Sequence, residues 1–253
     1  MRHSLNHHAW RSVCHAFASI GLITLCLVGC SSDENNPTSS SSSTPNNPNL
    51  VTGTVTDIDG NTYLTVKIGD QWWMAENLKV TKYRNGDPIP EIADDSLWMW
   101  GNIGGYCHVE NNPSLTATYG FLYNGFAVHD PRTIAPEGWH VPSDSEWQVL
   151  QDFLGATNAG GKTKATGTTH WNSPNLGATN ESGFSALPAG VRPPAGVFTN
   201  RGEIAFFWTT TQAIPPPLVS NYLRGMGYAE TTFRNQAWPW QGGLSLRCIK
   251  DPD

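Results

Sequence analysis

Residues 138–147 read Gly-Trp-His-Val-Pro-Ser-Asp-Ser-Glu-Trp, and this stretch holds the clearest structural signal in the chain. Ser143 and Glu146 match the S-x-x-E pattern of a capping box, in which each side chain accepts a hydrogen bond from a backbone N–H at a helix start. Three apolar residues then recur at helical spacing: Trp147, Leu150 and Leu154. Because Gly155 favours a helix end, the pattern predicts a helix over residues 144–154.

The segment before this stretch is typical of antiparallel strands joined by tight turns. Thr52-Gly-Thr-Val-Thr56 favours a strand, and alternating apolar residues predict a second strand over residues 62–68. Asp57-Ile-Asp-Gly-Asn61 lies between them and favours a turn, since Asp, Gly and Asn tolerate left-handed backbone geometry. A calcium loop is the alternative, but the further ligands and closing Glu of that pattern are missing. Gly69-Asp70 predicts a second turn, which leads into a strand and loop over residues 71–78.

The rest of the domain combines short strand signals with turn-forming residues. Three segments predict strands: residues 183–188, 203–209 and 244–249. The whole chain contains 25 Gly, 18 Pro and 11 Trp. The sequence therefore predicts an α+β fold with short twisted antiparallel strands, one or two helices and long loops rich in Gly, Pro and Trp.

The N-terminus carries the features of an export and anchoring signal. After a basic start, residues 16–28 form an apolar run that is shorter than the about 20 residues needed to span a bilayer. The run ends in Leu27-Val-Gly-Cys30, which resembles the bacterial lipobox, whose cysteine receives a diacylglycerol. We therefore predict a signal peptide over residues 1–29 and lipidation of Cys30. An ordinary signal peptide with an incidental cysteine is the alternative.

A tether is expected to follow the lipidated cysteine. Residues 30–49 are mostly Ser, Thr, Asn and Pro and contain no aromatic residue. Such a segment cannot bury enough apolar surface to offset its ordering entropy. We therefore predict a flexible tether that holds one domain, residues 50–253, away from the membrane. Ser31 does not match the inner-membrane retention signal, and the acidic pair Asp33-Glu34 resembles a surface-export pattern, so the expected location is the outer membrane at the cell surface.

Charge excludes some partners. The chain has 15 Lys+Arg against 21 Asp+Glu, a net charge of −6. Cleavage before Cys30 removes two arginines and no acidic residue, which leaves −8. An acidic protein does not suit binding to nucleic acid or directly to anionic lipid. We therefore expect no nucleic-acid partner and membrane attachment through the lipid alone.

Several strings along the domain together resemble one family. In chain order they are Ile68-Gly-Asp-Gln-Trp-Trp-Met-Ala-Glu-Asn-Leu78, Tyr119-Gly-Phe-Leu-Tyr-Asn124, the 138–147 stretch, Gly183-Phe-Ser-Ala-Leu-Pro-Ala-Gly190, Phe207-Trp-Thr-Thr210 and Gly243-Leu-Ser-Leu-Arg-Cys248. They resemble the Fibrobacter succinogenes major paralogous domain. Members of that family are bacterial surface or secreted lipoproteins, so the resemblance implies an exported, anchored protein and no general biochemical activity.

A more distant similarity concerns the fold. The capped helix start, the Phe-Trp-Thr strand and the terminal Arg-Cys strand resemble the C-type-lectin-like fold, including its formylglycine-generating-enzyme branch. The lectin signatures Glu-Pro-Asn and Trp-Asn-Asp are absent, and Ser173-Pro-Asn175 lacks the needed carboxylate. The paired catalytic cysteines of the enzyme branch also have no counterpart. The resemblance therefore implies a fold, and neither calcium-dependent sugar binding nor oxidase chemistry.

Two cysteines remain in the mature domain, Cys107 and Cys248. An even pair in an exported chain favours a disulfide, which would stabilise the fold by about 4–5 kcal/mol in the chain-entropy model. Some members of the similar family carry a cysteine where this chain has Ala135, so the resemblance leaves Cys107 and Cys248 as the pair. Two free thiols, one of them catalytic, are the alternative.

The remaining polar residues predict no catalytic site, metal site or cofactor. The mature histidines lack metal-site spacing: His108, His129, His140 and His170. His140 precedes the predicted helix and fits a hydrogen-bonded structural histidine better than a general base. Glu91 and Asp94-Asp95 could supply a carboxylate pair for glycoside cleavage, but an exposed acidic loop fits them better.

The tryptophans are the best candidates for binding. Five lie in patterned segments and are expected in the core: Trp72, Trp73, Trp139, Trp147 and Trp208. Four others lie in segments rich in Gly, Pro and Asn: Trp98, Trp100, Trp238 and Trp240. Tryptophan on loops can stack on sugar rings or anchor a protein partner, and packing at the edges of the core is the alternative.

These observations favour a non-catalytic binding or adhesion module at the cell surface, whose ligand is a polysaccharide or a surface protein. The competing functions are an extracellular enzyme acting on glycans or peptides, and a structural protein of the envelope.

Overall fold

The computed structural model describes residues 47–215 and 219–252. The predicted signal peptide, the lipidation site Cys30 and most of the predicted tether lie outside these residues. Within them, no helix combines the length and apolarity needed to cross a bilayer.

Short elements make up the described chain, with eleven strands and five α-helices. The strands are β1 (Thr52–Thr56), β2 (Thr62–Ile68), β3 (Gln71–Met74), β4 (Tyr106–His108), β5 (Phe121–Asn124), β6 (Trp139–His140), β7 (Ile204–Ile214), β8 (Ser220–Gly227), β9 (Arg234–Pro239), β10 (Gly243–Leu244) and β11 (Ile249–Lys250). The α-helices are α1 (Asp95–Trp100), α2 (Thr116–Tyr119), α3 (Gly125–Val128), α4 (Asp144–Leu154) and α5 (Ala159–Thr163). Two 3₁₀ turns precede α2: Val109–Asn111 and Pro113–Leu115.

The strands form three antiparallel sheets. The largest has the order β1-β2-β3-β11-β6, and the two others are β10-β5-β4 and β7-β8-β9. Ile249 of β11 pairs with Trp73 of β3 on one side and with His140 of β6 on the other. The first and last strands of the described chain therefore belong to one sheet. The predicted α+β class with antiparallel strands is confirmed.

The first hairpin forms as predicted, and its acidic turn is satisfied by the protein itself. Asp57 Oδ1 accepts hydrogen bonds from the backbone N–H groups of Asp59 (2.9 Å) and Asn61 (3.0 Å). Asp57 Oδ2 accepts one from the Tyr63 hydroxyl at 2.5 Å, and Asp59 Oδ2 accepts one from the Thr81 amide. Since these carboxylates already bind protein donors, the string is a turn.

Helix α4 has the predicted bounds, residues 144–154. Ser143 Oγ accepts from the Glu146 amide at 3.2 Å, and Glu146 Oε2 accepts from the Ser143 amide at 2.7 Å. The predicted face, Trp147, Leu150 and Leu154, is buried.

Three expectations about secondary structure are wrong. Five α-helices occur in the described residues where one or two were expected, and four of them have six or fewer residues. Residues 183–188 form a loop that makes an isolated bridge from Ala186 to Lys164. The predicted strand at 244–249 is two short strands in different sheets, β10 and β11. In the 183–188 loop, backbone carbonyls are bound by a buried side-chain cation in place of strand pairing.

Arg247 lies in the chain between β10 and β11 and is almost fully buried. Its guanidinium donates to Asn77 Oδ1 (2.9 Å) and to the backbone carbonyls of Phe184, Ser185 and Met74. It also lies 4.3 Å from the ring centroid of Phe184. Burial lowers the pKa of Arg247 to about 9, so the group remains a cation at pH 7. One side chain thus joins the loop after β3 to the 183–188 loop.

Two more buried cations bind loop carbonyls. Arg192 donates to the carbonyls of Ile92 (2.5 Å) and Ala93 (2.8 Å) and to Asp95 Oδ1 at 2.6 Å. Lys164 Nζ donates to the carbonyls of Leu176, Gly227 and Glu230 at 2.8–3.0 Å. Buried carbonyls require donors, and in these loops the cations provide them.

Aromatic packing fills the core beside α4. The ring centroid of Trp147 lies 4.9 Å from that of Trp73, 5.6 Å from that of Phe184 and 5.5 Å from that of Phe207. Four of the five tryptophans expected in the core are buried: Trp73, Trp139, Trp147 and Trp208. Trp72 is half-buried against the core.

The predicted disulfide is absent, and that expectation is wrong. Cys107 and Cys248 are both buried free thiols. They lie in different core clusters, Cys107 with Trp98 and Leu122, and Cys248 with Met74 and Leu246. Burial raises the pKa of both thiols, that of Cys107 to about 12. A thiol that stays protonated at pH 7 is a poor nucleophile, so the geometry gives no support to a catalytic cysteine.

We expect Arg247→Met to lower the free energy of unfolding of the full chain by about 3–5 kcal/mol, because several buried carbonyls lose their donor. Urea denaturation measures this loss. Arg201→Met is the control: it removes one exposed ion pair with Glu110 and should cost less than about 1 kcal/mol. Equal losses in the two variants would contradict a clamping role for Arg247.

We also expect a reductant to leave the urea midpoint unchanged, because no disulfide joins Cys107 and Cys248. Iodoacetamide should alkylate the two cysteines only in urea, as followed by mass spectrometry of their peptides. A midpoint that falls on reduction, together with linked peptides, would restore the disulfide.

Candidate functional site

Trp98 is a core residue and not a binding residue, which corrects the prediction. Its side chain is 1% exposed. The Arg192 guanidinium lies 4.4 Å from its ring centroid. Trp98 lies on the buried side of α1, and Asp94 caps the start of this helix, accepting from the Leu97 amide at 2.7 Å.

Trp100 lies two residues further along and is 77% exposed. Leu97 and Ile103, spaced three residues on either side of it, are 48% and 47% exposed. Residues three apart on a helix share a face, so α1 presents Leu97 and Trp100 together. We call Leu97, Trp100 and Ile103 the Trp100 ridge.

Trp238 and Trp240 are half-buried and lie two residues apart, beside Asn221 of β8. Asn221 is directly opposite Trp238 in the β8–β9 register. Its Oδ1 accepts a hydrogen bond from Trp240 Nε1 at 2.8 Å. The ring of Trp240 stacks on His129 with centroids 4.4 Å apart and an interplanar angle of 11°, and Phe126 meets it edge-on. We call Phe126, His129, Asn221, Trp238 and Trp240 the Trp240 cluster.

The Trp240 cluster is uncharged at pH 7. Burial lowers the pKa of His129 below its ordinary value, which favours the neutral ring. Asn221 also donates from Nδ2 to the Thr209 carbonyl at 2.6 Å. Fixed by hydrogen bonds and stacking, Trp240 is a preorganised aromatic group.

The ridge and the cluster contact the same short segment, Asn124–Gly125. Asn124 Nδ2 donates to the Ile103 carbonyl at 2.9 Å. The Gly125 amide donates to the Trp240 carbonyl at 2.7 Å. A Cβ on Gly125 would lie 2.6 Å from Trp240 Cγ, so glycine allows this close approach. Two consecutive residues, Asn124 and Gly125, therefore hydrogen-bond to both the Trp100 ridge and the Trp240 cluster.

Two small cavities lie elsewhere, of about 220 and 240 Å³. Both are below the roughly 300 Å³ of a typical small-molecule site. In the first, Arg84 donates to the carbonyls of Ala135, Pro136 and Trp139. The Arg84 guanidinium is therefore already bound by the protein itself.

The second cavity is lined in part by Glu146 and Asp251, and both bind His140. His140 Nδ1 lies 2.6 Å from Asp251 Oδ1, and Nε2 lies 2.8 Å from Glu146 Oε1. The hydrogen bond with Glu146 raises the pKa of His140, and the same contact helps lower the pKa of Glu146 to about 2. With both ring nitrogens occupied, His140 joins the last residues of the chain to α4, as the structural interpretation predicted.

Residues 47–215 and 219–252 contain no group of three or more His, Cys, Asp and Glu side chains placed to hold a metal.

A comparison of the sequence with known protein families identifies one family. The sequence pattern of the Fibrobacter succinogenes major domain matches residues 66–250, well over half of the chain. The chain belongs to this family. The resemblance seen in the sequence is thereby confirmed. No curated protein and no solved structure matches the chain.

The match to the Fibrobacter succinogenes major domain runs from β2 to β11, so it includes the buried arginines, the Trp100 ridge and the Trp240 cluster. Sequence reasoning missed Leu97, Ile103, Phe126, His129 and Asn221. Leu97 had a signal, since Asp94 is a good helix cap and Leu97 and Trp100 are three residues apart. The others had none, because Phe126 and Trp240 meet only through the tertiary fold.

The His140 contacts in this Fibrobacter succinogenes major domain predict a pH-dependent stability. A raised pKa in the folded state gives stability that is full below the unfolded-state value, about 6.5, and is lost as pH rises through the folded value. We expect the free energy of unfolding of the wild type to exceed that of His140→Gln below about pH 6.5. This difference should disappear as the pH rises through the pKa of folded His140. Urea titrations at several pH values measure it.

Asp251→Asn is the matched variant for this test. It removes one of the two carboxylates bound to His140. In the Asp251→Asn background, the pH-dependent part of the stability lost on His140→Gln should therefore be smaller than in the wild type. A stability difference between wild type and His140→Gln that does not vary with pH would contradict a charged His140.

Proposed function

We propose that this protein is a surface-anchored lipoprotein whose domain is a non-catalytic polysaccharide-binding module, with the Trp100 ridge and the Trp240 cluster as its binding surface. The exposure of Trp100 carries the proposal. The indole is 77% exposed beside exposed Leu97 and Ile103, so it contributes little of the stability that a buried side chain would provide. Exposed apolar groups that lie together mark interaction sites.

The groups around these tryptophans suit sugar rings. Trp240 is held rigidly by Asn221 and His129, so little freedom is lost when a ligand stacks on it. Amide side chains lie in the same segments: Asn102, Gln236 and Gln241. Amides both donate and accept, as recognition of hydroxyl groups requires. Stacking faces with neutral hydrogen-bonding groups support a saccharide ligand.

The titratable groups support a role without catalysis. Asp95 beside the Trp100 ridge binds Arg192 at 2.6 Å. His129 in the Trp240 cluster is stacked and hydrogen-bonded to Asn221. Glu146 and Asp251 both hold His140. These groups serve the fold, which favours binding over chemistry.

Anchoring at the outer membrane rests on the sequence. The lipobox at Cys30 supplies the attachment point, and two or more acyl chains make anchoring stable. The tether in residues 30–49 would let the domain reach a ligand beyond the membrane. A protein that holds a polysaccharide at the cell surface needs these two features.

We also propose that the architecture is a divergent C-type-lectin-like fold. The support is that β1 and β11 share one sheet, that one capped helix, α4, packs on that sheet through Trp147 and Trp73, and that long loops fill the remainder. The aromatic surface lies among those loops.

The test is affinity electrophoresis of the full chain through gels containing soluble polysaccharides. We expect Trp100→Ala and Trp240→Ala each to weaken retardation about tenfold, which corresponds to the loss of one aromatic stacking contact of about 1.4 kcal/mol.

Phe153→Ala is the matched control, since Phe153 is 64% exposed on α4 and lies outside the proposed surface. It should bind like the wild type. Circular dichroism checks that every variant is folded. A folded wild type that no polysaccharide retards, or a loss of binding only in Phe153→Ala, would refute the proposed function.

A further inference from the structure

Basic residues are missing from the segments that build the binding surface. No Lys or Arg occurs between Arg84 and Arg132, between Arg201 and Arg224, or in residues 235–246. These three segments supply every residue of the Trp100 ridge and the Trp240 cluster, and also the amides Asn102, Gln236 and Gln241. The surface is therefore built without a cation of its own.

The arginines that border these segments in the sequence are occupied. Arg132 binds Asp87 and Asp130, Arg201 binds Glu110, Arg224 binds Asp144 at 2.5 Å, and Arg234 binds Glu230. Arg84 and Arg247 donate to backbone carbonyls. Arg192, whose guanidinium packs on Trp98, binds two carbonyls and Asp95. Each of these guanidinium groups therefore has its partners inside the protein.

Acidic groups, in contrast, stand at one end of the Trp100 ridge. Asp94 and Asp95 are exposed at the N-terminus of α1, and Glu91 is exposed just before them. A carboxylate or sulfate on a ligand stacked on Trp100 would face the like charges of Glu91 and Asp94, whereas the charge of Asp95 is offset by Arg192. Like charges placed together oppose binding.

We propose that the surface selects uncharged polysaccharides and rejects anionic ones, such as those bearing uronate or sulfate groups. This inference rests on the proposed function and deepens it. Stacking on Trp100 and Trp240 and hydrogen bonds from amides work for any pyranose ring. The choice between neutral and anionic chains is made by charge.

The test uses matched neutral and anionic polymers with the same backbone: hydroxyethylcellulose against carboxymethylcellulose, and dextran against dextran sulfate. Affinity electrophoresis and calorimetry at low salt measure binding of the full chain. We expect the neutral member of a pair to bind at least about tenfold tighter. Raising the salt should narrow the gap, because salt screens exposed charges.

A variant that adds a positive charge makes the test specific to the surface. Ser96 is exposed on α1, four residues before Trp100, and residues four apart on a helix are neighbours. Ser96→Lys should raise the affinity for carboxymethylcellulose or dextran sulfate several-fold and leave the affinity for the neutral partner within about twofold. The control Thr168→Lys, at an exposed position outside the surface, should change neither.

The outcomes separate this inference from the proposed function. Binding of the anionic member equal to or tighter than that of the neutral one, and lost on Trp100→Ala, would overturn the charge selection and keep a polysaccharide-binding surface. Absence of binding to every polymer, neutral or anionic, by a folded chain would overturn the proposed function itself.

Discussion

The hydrogen bonds of the buried Arg247 guanidinium hold together parts of the chain that strand pairing does not reach. They join Asn77 and the Met74 carbonyl to the carbonyls of Phe184 and Ser185, and none of these bonds within the described residues goes to a carboxylate. Arg192 and Lys164 repeat the device in two other loops. Removing a cation from water is costly, but it supplies hydrogen-bond donors to backbone carbonyls, and buried carbonyls require donors. The loops bound by Arg247, Arg192 and Lys164 depend on these hydrogen bonds.

Loops that are held by buried cations can carry exposed side chains that make no contact with the core. Trp98 and Trp100 show the division: the first covers the Arg192 guanidinium, and the second points to solvent from the same short helix. The segment that follows is tied to Asn124 through the Ile103 carbonyl, and Asn124–Gly125 also holds Trp240. A surface positioned by backbone contacts of this kind is rigid before any ligand arrives, which reduces the entropy lost on binding.

Local patterns predicted the elements whose contacts are local. The capping box at Ser143 and Glu146 predicted the start of α4, and the alternation of apolar residues predicted β2, because both signals act over a few residues. The roles of Arg247 and Arg192 could not be predicted this way, since their acceptors lie about 60 to 170 residues away in the chain. The same limit explains the disulfide, where an even cysteine count favoured a pair that the fold places in separate clusters. The resemblance identified the family, but family membership alone specified no ligand, so the proposed binding surface rests on geometry.

The most direct measurement is hydrogen–deuterium exchange of the full chain with and without the uncharged polysaccharide that binds it best. We predict slower exchange in residues 95–104, 125–129 and 236–241 and no change in the loops that Arg247 holds, because the ligand should cover the Trp100 ridge and the Trp240 cluster on a scaffold that is already ordered. Protection confined to the cavity beside Glu146 and Asp251, with the tryptophan segments unchanged, would contradict a binding surface built on Trp100 and Trp240.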